Sequence, residues 1–218
     1  MIKKTLLYTL LFVLSLLWFL LATLPANLLW ERLLKQDVKN TIAGLKVESV
    51  EGTVWEGEAL INYRGVSAVY GWDVSPSGLF MMTLPVKLSL LSQAGRVNLE
   101  AEFGLSDTIL LVEDTKLDLA YLTPLVKRWR VLLDGELSIP SLMLVAEGSK
   151  VVSLSGGGTW SGGDISYPVA RKVHERSMPV FNAIAKTDDE GLSHIGIRDA
   201  DASFDVVSLS LDAEGEAM

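Results

Sequence analysis

The sequence predicts a mainly β protein: a single N-terminal transmembrane helix, followed by an antiparallel, curved β-sheet domain with one or two short helices. Residues 5–24 read TLLYTLLFVLSLLWFLLATL and contain no charged side chain. At about 1.5 Å per residue they would extend roughly 30 Å as a helix, the thickness of a bilayer's hydrocarbon core. From residue 45 onward, apolar side chains recur mostly at every second position, as in a strand with one covered face.

The residues around the apolar run predict its orientation. Lys3 and Lys4 precede it, so by the positive-inside rule residues 1–4 form a cytoplasmic tail. The body after Pro25 then lies on the far side of the membrane. A cleaved signal peptide is the alternative, but its apolar region usually has about 7–15 residues. The longer run here, and the bulky residue and proline at Leu24-Pro25-Ala26, favour a retained anchor.

Composition excludes several classes of function. The chain carries a net charge of −8, and removing the two tail lysines leaves −10 on the exported part. An acidic body disfavours binding to nucleic acid and electrostatic binding to anionic lipid head groups, so any membrane contact by the body would be apolar. The chain has no cysteine, which excludes disulfides and thiol chemistry.

Residues 25–44 are expected to form an amphipathic connector helix. Pro25 can start a helix, and Ala26, Leu29 and Leu33 recur at helical spacing before Gly44. The connector either binds a partner or simply packs on the domain, and packing is the simpler interpretation.

Residues 45–218 are predicted to form the β-rich domain. Its clearest alternating strands are centred near residues 88, 99, 118, 138 and 209, where the apolar positions include Val97, Leu99, Phe103, Leu117 and Leu209. Two stretches break the alternation. Residues 120–129 (AYLTPLVKRW), with Pro124 early in the run, predict a short helix or turn. Residues 169–186 predict a second helix or loop, ending in the acidic turn at residues 188–191 (DDEG).

A short internal repeat, which we call the echo, suggests two similar β-units, about residues 45–147 and 148–218. Residues 52–57 (GTVWEG) share the pattern Gly-x-x-Trp-x-Gly with residues 157–162 (GGTWSG). Glycines this close to a tryptophan would let the large ring lie across neighbouring backbone. The tryptophans Trp55, Trp72 and Trp160 then either pin strand register or form a recognition surface; the glycine spacing favours the structural role.

No catalytic, cofactor-binding or metal-binding residue can be named from the sequence. His174 and His194 are far apart and lack a partner histidine or cysteine at metal-ligand spacing. The glycine-rich residues 155–158 and 161–164 are not followed by a Gly-Lys-Ser/Thr motif, so turns and bulges explain them better than a phosphate site. An exported hydrolase would need convergent acids or a Ser/His pair, which nothing in the sequence predicts.

The motifs nevertheless resemble a known family. Residues 50–59 (VEGTVWEGEA) are similar to the G-T-x-W-x-G-x-A signature of the type II secretion system protein N family, also called general secretion pathway protein N. Residues 72–79 (WDVSPSGL) match its Trp-x-x-x-Pro-x-x-Leu element. Residues 117–137 are similar to its central segment, and the glycine–tryptophan element at Trp160 also agrees.

The resemblance implies a non-enzymatic, single-pass accessory subunit of the bacterial inner membrane, with its N-terminus in the cytoplasm and its body in the periplasm. Such a subunit contacts other type II secretion proteins during export of folded proteins across the outer membrane, with no cofactor and no small-molecule substrate. The alternative is an anchored periplasmic lipid-handling protein of AsmA-like layout, whose sheet keeps an apolar groove open. Burial separates the two: an open apolar face without a covering layer would favour lipid.

Overall fold

The computed structural model describes residues 2–34, 42–126, 129–148, 150–169, 172–201 and 204–211. Its helical elements are α1 (Ile2–Ala22), α2 (Ala26–Leu29), a π turn (Trp30–Leu34), two 3-10 turns (Pro76–Met81 and Leu119–Leu122) and α3 (Thr123–Val126). Its strands are β1 (Leu45–Gly52), β2 (Glu56–Tyr63), β3 (Val66–Val74), β4 (Leu84–Ser92), β5 (Gly95–Phe103), β6 (Asp107–Asp118), β7 (Leu132–Leu133), β8 (Glu136–Glu147), β9 (Lys150–Trp160), β10 (Gly163–Val169), β11 (Lys172–Met178), β12 (Phe181–Thr187), β13 (Ser193–Asp199) and β14 (Asp205–Leu211).

The predicted mainly β, antiparallel, curved architecture is confirmed. Within the described residues, eleven strands form one sheet in the order β1-β2-β3-β4-β5-β6-β8-β9-β12-β13-β14. Each neighbouring pair is antiparallel, so the sheet is nearly a continuous meander. The strands outside this large sheet form a second, three-stranded sheet in the order β11-β10-β7. At about 4.8 Å between strands, the large sheet is about 48 Å wide.

One face of the large sheet is apolar along its whole width. Residues directly opposite each other in neighbouring strands project from the same face of a sheet. The strand register therefore defines one row, on one face, that crosses all eleven strands: Gly52, Gly57, Trp72, Leu88, Leu99, Val112, Leu142, Gly156, Ala185, Ile195 and Leu209. We call this side of the sheet the apolar face.

The apolar residues predicted to alternate share this face. Val97, Leu99 and Phe103 lie on it because they are two residues apart along β5. Leu117 joins them as the partner of Gly95, and Leu209 belongs to the same row. The other face, which we call the polar face, carries the charged side chains of Glu58, Asp73, Lys87, Glu100 and Glu113. It is not uniformly polar, since the same register also places Val69, Leu91, Leu111, Met143 and Ile184 on it.

No second layer covers the apolar face within the described part of the chain. The accessible surface is 15295 Å², whereas a compact monomer of 23.8 kDa would expose about 9,900 Å². The buried apolar residues are small, apart from one leucine: Ala26, Ala59, Ala68, Ala94, Ala101, Ala185 and Leu154. The larger apolar side chains of this face, such as Leu88, Leu99 and Leu142, are only half-buried. The sheet therefore lacks the closed hydrophobic core of a sandwich or barrel.

The prediction for residues 169–186 is wrong. Instead of a helix or loop, the chain forms β11 and most of β12 there. β11 (KVHERSM) escaped detection because its side chains are exposed on both faces except Met178, so the sequence has no reason to alternate. The prediction for residues 120–129 is confirmed over its first part, where a 3-10 turn at Leu119–Leu122 leads into α3.

A helix occupies the predicted position at the N-terminus. The large apolar side chains of α1 from Leu7 to Leu21 are 43–67% exposed and lie all around the helix. In the described part of the chain, no helix has both the length and the apolarity needed to cross a membrane. The predicted transmembrane span at residues 5–24 is thus not confirmed, although the helix is present.

The connector contains helical turns over Ala26–Leu29 and Trp30–Leu34. Ala26 is buried, and the element packs beside β1. The rest of the expected connector helix, residues 35–41, lies outside the described residues.

Candidate functional site: an open apolar face

The apolar face deepens into a recess over four inner strands, β8, β9, β12 and β13. This apolar recess has a volume of about 420 Å³. Its lining contains no charged or hydrogen-bonding side chain other than the indole of Trp160, whose N–H donates to the Asp134 carbonyl oxygen at 2.9 Å. A ligand in this recess would therefore meet hydrocarbon surface and no free polar side chain.

Small residues form the floor of the apolar recess. Gly158 faces Ala183 and Gly156 faces Ala185 across β9 and β12. Larger side chains flank this floor on both neighbouring strands, with Leu142 on β8 and Ile195 on β13. Two adjacent rows of Gly–Ala pairs thus make a depression that runs along the strands.

An aromatic pair closes one end of that depression. The rings of Trp160 and Phe181 are stacked, with centroids 5.8 Å apart and planes at 8°, as their cross-strand pairing requires. The hydrogen bond to the Asp134 carbonyl fixes the indole in the plane of the stack. This end wall is therefore held by both dispersion and a hydrogen bond.

The three motif tryptophans all act as structural ties. Trp55 donates its indole N–H at 2.9 Å to the Leu21 carbonyl oxygen at the end of α1, which also accepts from the Leu24 backbone N–H at 3.4 Å. Trp72 donates to the Thr53 carbonyl oxygen at 3.1 Å. Together with Trp160, they support the structural interpretation over a recognition surface, because each indole N–H is used within the chain.

For Trp72 and Trp160, the glycine beside the ring comes from another part of the chain and not from the motif that contains the ring. A Cβ on Gly57 would overlap the ring of Trp72, its cross-strand partner. A Cβ on Gly135 would overlap the indole nitrogen of Trp160. The two copies of the echo also differ in setting: Trp55 lies in the connection between β1 and β2, whereas Trp160 ends β9.

A second recess, of about 800 Å³, lies over β1 to β6 and is lined mainly by residues of the polar face. We call it the acidic recess after the charged residues in its lining, which are Glu51, Glu56, Glu58, Asp73, Glu100, Glu113, Asp114 and Lys87. Lys87 donates to Glu100 at 2.6 Å, and this hydrogen bond is the main reason that the pKa of Lys87 is raised. The excess of carboxylates suits a basic partner.

The two histidines lie in different sheets. His174 is exposed on β11 and stacks on Tyr167. His194 is exposed on β13, where Nε2 lies 2.9 Å from Asp188 Oδ2 and Nδ1 lies 3.0 Å from Ser210 Oγ. The hydrogen bond with His194 lowers the pKa of Asp188, helped by the backbone N–H groups of Leu192 and Glu190.

Sequence reasoning did not find this Asp–His–Ser arrangement, because the contact depends on strand register. Ser210 is the cross-strand partner of His194, so their side chains meet without any special construction. The three groups are on the polar side of the sheet and do not line either recess. The arrangement fastens the turn between β12 and β13, and its chemistry resembles a catalytic triad only in its residue types.

No protein-family model, curated protein or solved structure matches this chain.

Proposed function

We propose that this protein is a membrane-anchored lipid-binding protein whose apolar face holds acyl chains. The observation that carries the proposal is the uncovered apolar face that crosses all eleven strands of the large sheet. Apolar surface of this extent is costly in water and is normally covered by a partner or ligand.

The chemistry of the apolar recess favours a hydrocarbon chain over a peptide. Its four strands are all interior to the sheet, so both edges of each strand are already paired. A peptide laid across them would bury its own N–H and C=O groups without partners, at a cost of several kcal/mol per group. An acyl chain has no such groups to satisfy.

The size of the recess agrees with one acyl chain. An apolar protein cavity of about 150 Å³ holds benzene, with its six carbons. By that ratio, the 420 Å³ recess accommodates on the order of sixteen carbons. The acyl layer of one leaflet is roughly 15 Å deep, which approximates the length of a lipid's acyl chain. The sheet is about 48 Å wide, so the rest of the apolar face can hold further acyl chains beside the recess.

The anchor in this proposal is the apolar segment at residues 5–24, with the body on the periplasmic side of a bacterial inner membrane. A helix that is apolar all round is stable when buried in protein or lipid. Here α1 exposes its side chains on all sides, and the tie from Trp55 to Leu21 places its end beside the first strands of the sheet. Lipid leaving the bilayer would therefore meet the sheet at that edge.

The test is lipid recovery and a blocking variant. The full chain, purified in mild detergent, should retain phospholipid by mass spectrometry and label with a diazirine-bearing C16 fatty acid. Ala183→Trp places a large ring on the recess floor and should reduce labelling of β9, β12 and β13. Leu91→Trp adds the same ring on the opposite face, where Leu91 is 49% exposed, and should leave labelling unchanged. Absence of both phospholipid and labelling, in variants shown to be folded by circular dichroism, refutes lipid binding.

A second candidate is the accessory subunit of type II secretion that the motif resemblance implies. The acidic recess favours it, since a cluster of carboxylates on an exposed sheet face suits contact with a basic protein surface. Crosslinking in native membranes should then recover other secretion subunits, and deletion should leave secreted proteins in the periplasm. Normal export, with no secretion subunit among the crosslinked proteins, would contradict this candidate.

A further inference from the structure

A group of strongly exposed apolar side chains lies at one end of the large sheet. Leu79, Phe80, Met81 and Met82, in the connection between β3 and β4, are 58%, 83%, 81% and 66% exposed. Leu105, in the turn between β5 and β6, is 83% exposed. We call these five residues the tip cluster.

The connection that carries most of the tip cluster has a fixed shape. The backbone N–H of Met82 donates to the Leu79 carbonyl at 3.2 Å, that of Thr83 donates to the Gly78 carbonyl at 3.0 Å, and that of Ser75 donates to the Pro85 carbonyl at 3.0 Å. A Cβ on Gly78 would overlap Pro85, so the turn closes tightly on the start of β4. The loop thus presents its apolar side chains outward on a closed backbone.

The meander places the tip cluster at the same end of the sheet as the exit from α1. The helix ends at Ala22, and the chain then bridges Pro25 to Thr53 in the connection between β1 and β2. In an antiparallel meander, alternate connections lie at the same end. The β1–β2, β3–β4 and β5–β6 connections therefore lie side by side at the end where α1 arrives.

The charge pattern of this end is also uneven. The β12–β13 turn lies at the same end, about eight strands away across the sheet, and carries Asp188, Asp189 and Glu190. The β3–β4 and β5–β6 loops are about two and four strands from the β1–β2 connection that the helix reaches, whereas the acidic turn is about eight strands from it. Carboxylates also lie close to the apolar loops, among them Glu56 and Asp107, so membrane contact at this end depends on the apolar side chains and not on the charge pattern.

We infer that the tip cluster inserts into the interfacial layer of the same bilayer that holds α1. This inference rests on the anchoring part of the proposed function. Continuity with the apolar helix favours lipid as the occupant, because the C-terminal end of α1 and the tip cluster lie at the same end of the sheet. The net charge of −8 makes an apolar contact the available mode, since an acidic protein has no electrostatic attraction to anionic lipid.

Single cysteines can test the insertion directly, because the chain has none of its own. Phe80→Cys and Leu105→Cys report on the tip cluster, and Phe12→Cys reports on α1. Gln93→Cys, in the β4–β5 turn at the opposite end, and Asp189→Cys, in the acidic turn, are the matched controls. Each full-length variant is reconstituted at high dilution into phosphatidylcholine–phosphatidylethanolamine vesicles and labelled with a charged, membrane-impermeant maleimide.

Labelling at Gln93→Cys defines the outward-facing fraction. We expect Phe80→Cys and Leu105→Cys to label several times more slowly than both controls in vesicles, and at similar rates to them in detergent-free unfolded protein. Equal rates at the tip and control sites, with Phe12→Cys protected, would overturn tip insertion and leave the anchor intact. Rapid labelling at Phe12→Cys would instead overturn the anchor. Protection of the tip sites only in native membranes would identify a protein as the occupant and also overturn the inference.

Discussion

The aromatic end wall of the apolar recess gives the sharpest prediction of stability. In Trp160→Phe the ring stack on Phe181 is kept and the hydrogen bond to the Asp134 carbonyl is lost. That bond contributes about 1 kcal/mol. In Trp160→Ala the stack is lost as well, at about 1 kcal/mol. Roughly 100 Å² of half-buried ring surface adds about 2.5 kcal/mol.

We therefore expect the free energy of unfolding to fall by about 1 kcal/mol in Trp160→Phe and by about 4 to 5 kcal/mol in Trp160→Ala. The larger loss is a substantial part of the 5–15 kcal/mol typical of folded domains. Urea titration followed by circular dichroism measures both, and amide exchange in β9 and β12 shows whether the loss is local. Equal losses in the two variants would refute the contribution assigned to stacking. No loss in either variant would show that the Trp160–Phe181 pair does not stabilise the fold.

Three other perturbations follow from named contacts. Gly57→Ala should lower the free energy of unfolding, measured by urea titration, by about 2 kcal/mol or more, because the new Cβ overlaps the Trp72 ring and backbone. Gly65→Ala, with φ +92° and open space around it, should lower it by only about 1 kcal/mol. A larger loss in Gly65→Ala than in Gly57→Ala would contradict the packing of Gly57 against Trp72. Trp55→Phe removes the bond to the Leu21 carbonyl and should speed proteolysis between α1 and α2, whereas an unchanged cleavage rate would mean that this tie does not hold the helix. The lowered pKa of Asp188 means that its carboxylate stabilises the β12–β13 turn above the unfolded pKa of about 3.9, and that this stabilisation is lost as pH falls through the lower folded pKa. Amide exchange at Leu192, corrected for its intrinsic pH dependence, should therefore lose protection at acid pH in the native protein and not in Asp188→Asn.

Periodicity identified β4, β5, β6, β8 and β14, five of the eleven strands described in the large sheet, because a strand with one apolar face must alternate. Val97, Leu99 and Phe103 revealed β5 in this way, and their shared face is the one that crosses the sheet. The same reasoning failed at β11. That strand lies in the small sheet with both faces exposed, so no burial constraint shaped its sequence.

The glycine–tryptophan motifs were recognised as packing signals, but their partners were not. The sequence suggested that glycines two or three residues from Trp55 and Trp160 let each ring lie across neighbouring backbone. In the structure Trp72 lies against Gly57 of the neighbouring strand β2, and Trp160 lies against Gly135 in the connection between β7 and β8. Such partners depend on which strands become neighbours, and a local pattern contains no information on that.

By itself, the sequence determined the apolar N-terminal helix, the acidic surface and the alternation that makes a one-sided antiparallel sheet, since each depends only on residue type and local spacing. Tertiary structure alone decided that the apolar face stays uncovered, that Gly158, Ala183 and their neighbours form a recess, and that the tip cluster lies at the same end of the sheet as the exit from α1. These features arise from register and strand order, which join residues far apart in the chain. The physical reason is that burial on a sheet face is shared among neighbouring strands, so no single segment specifies it.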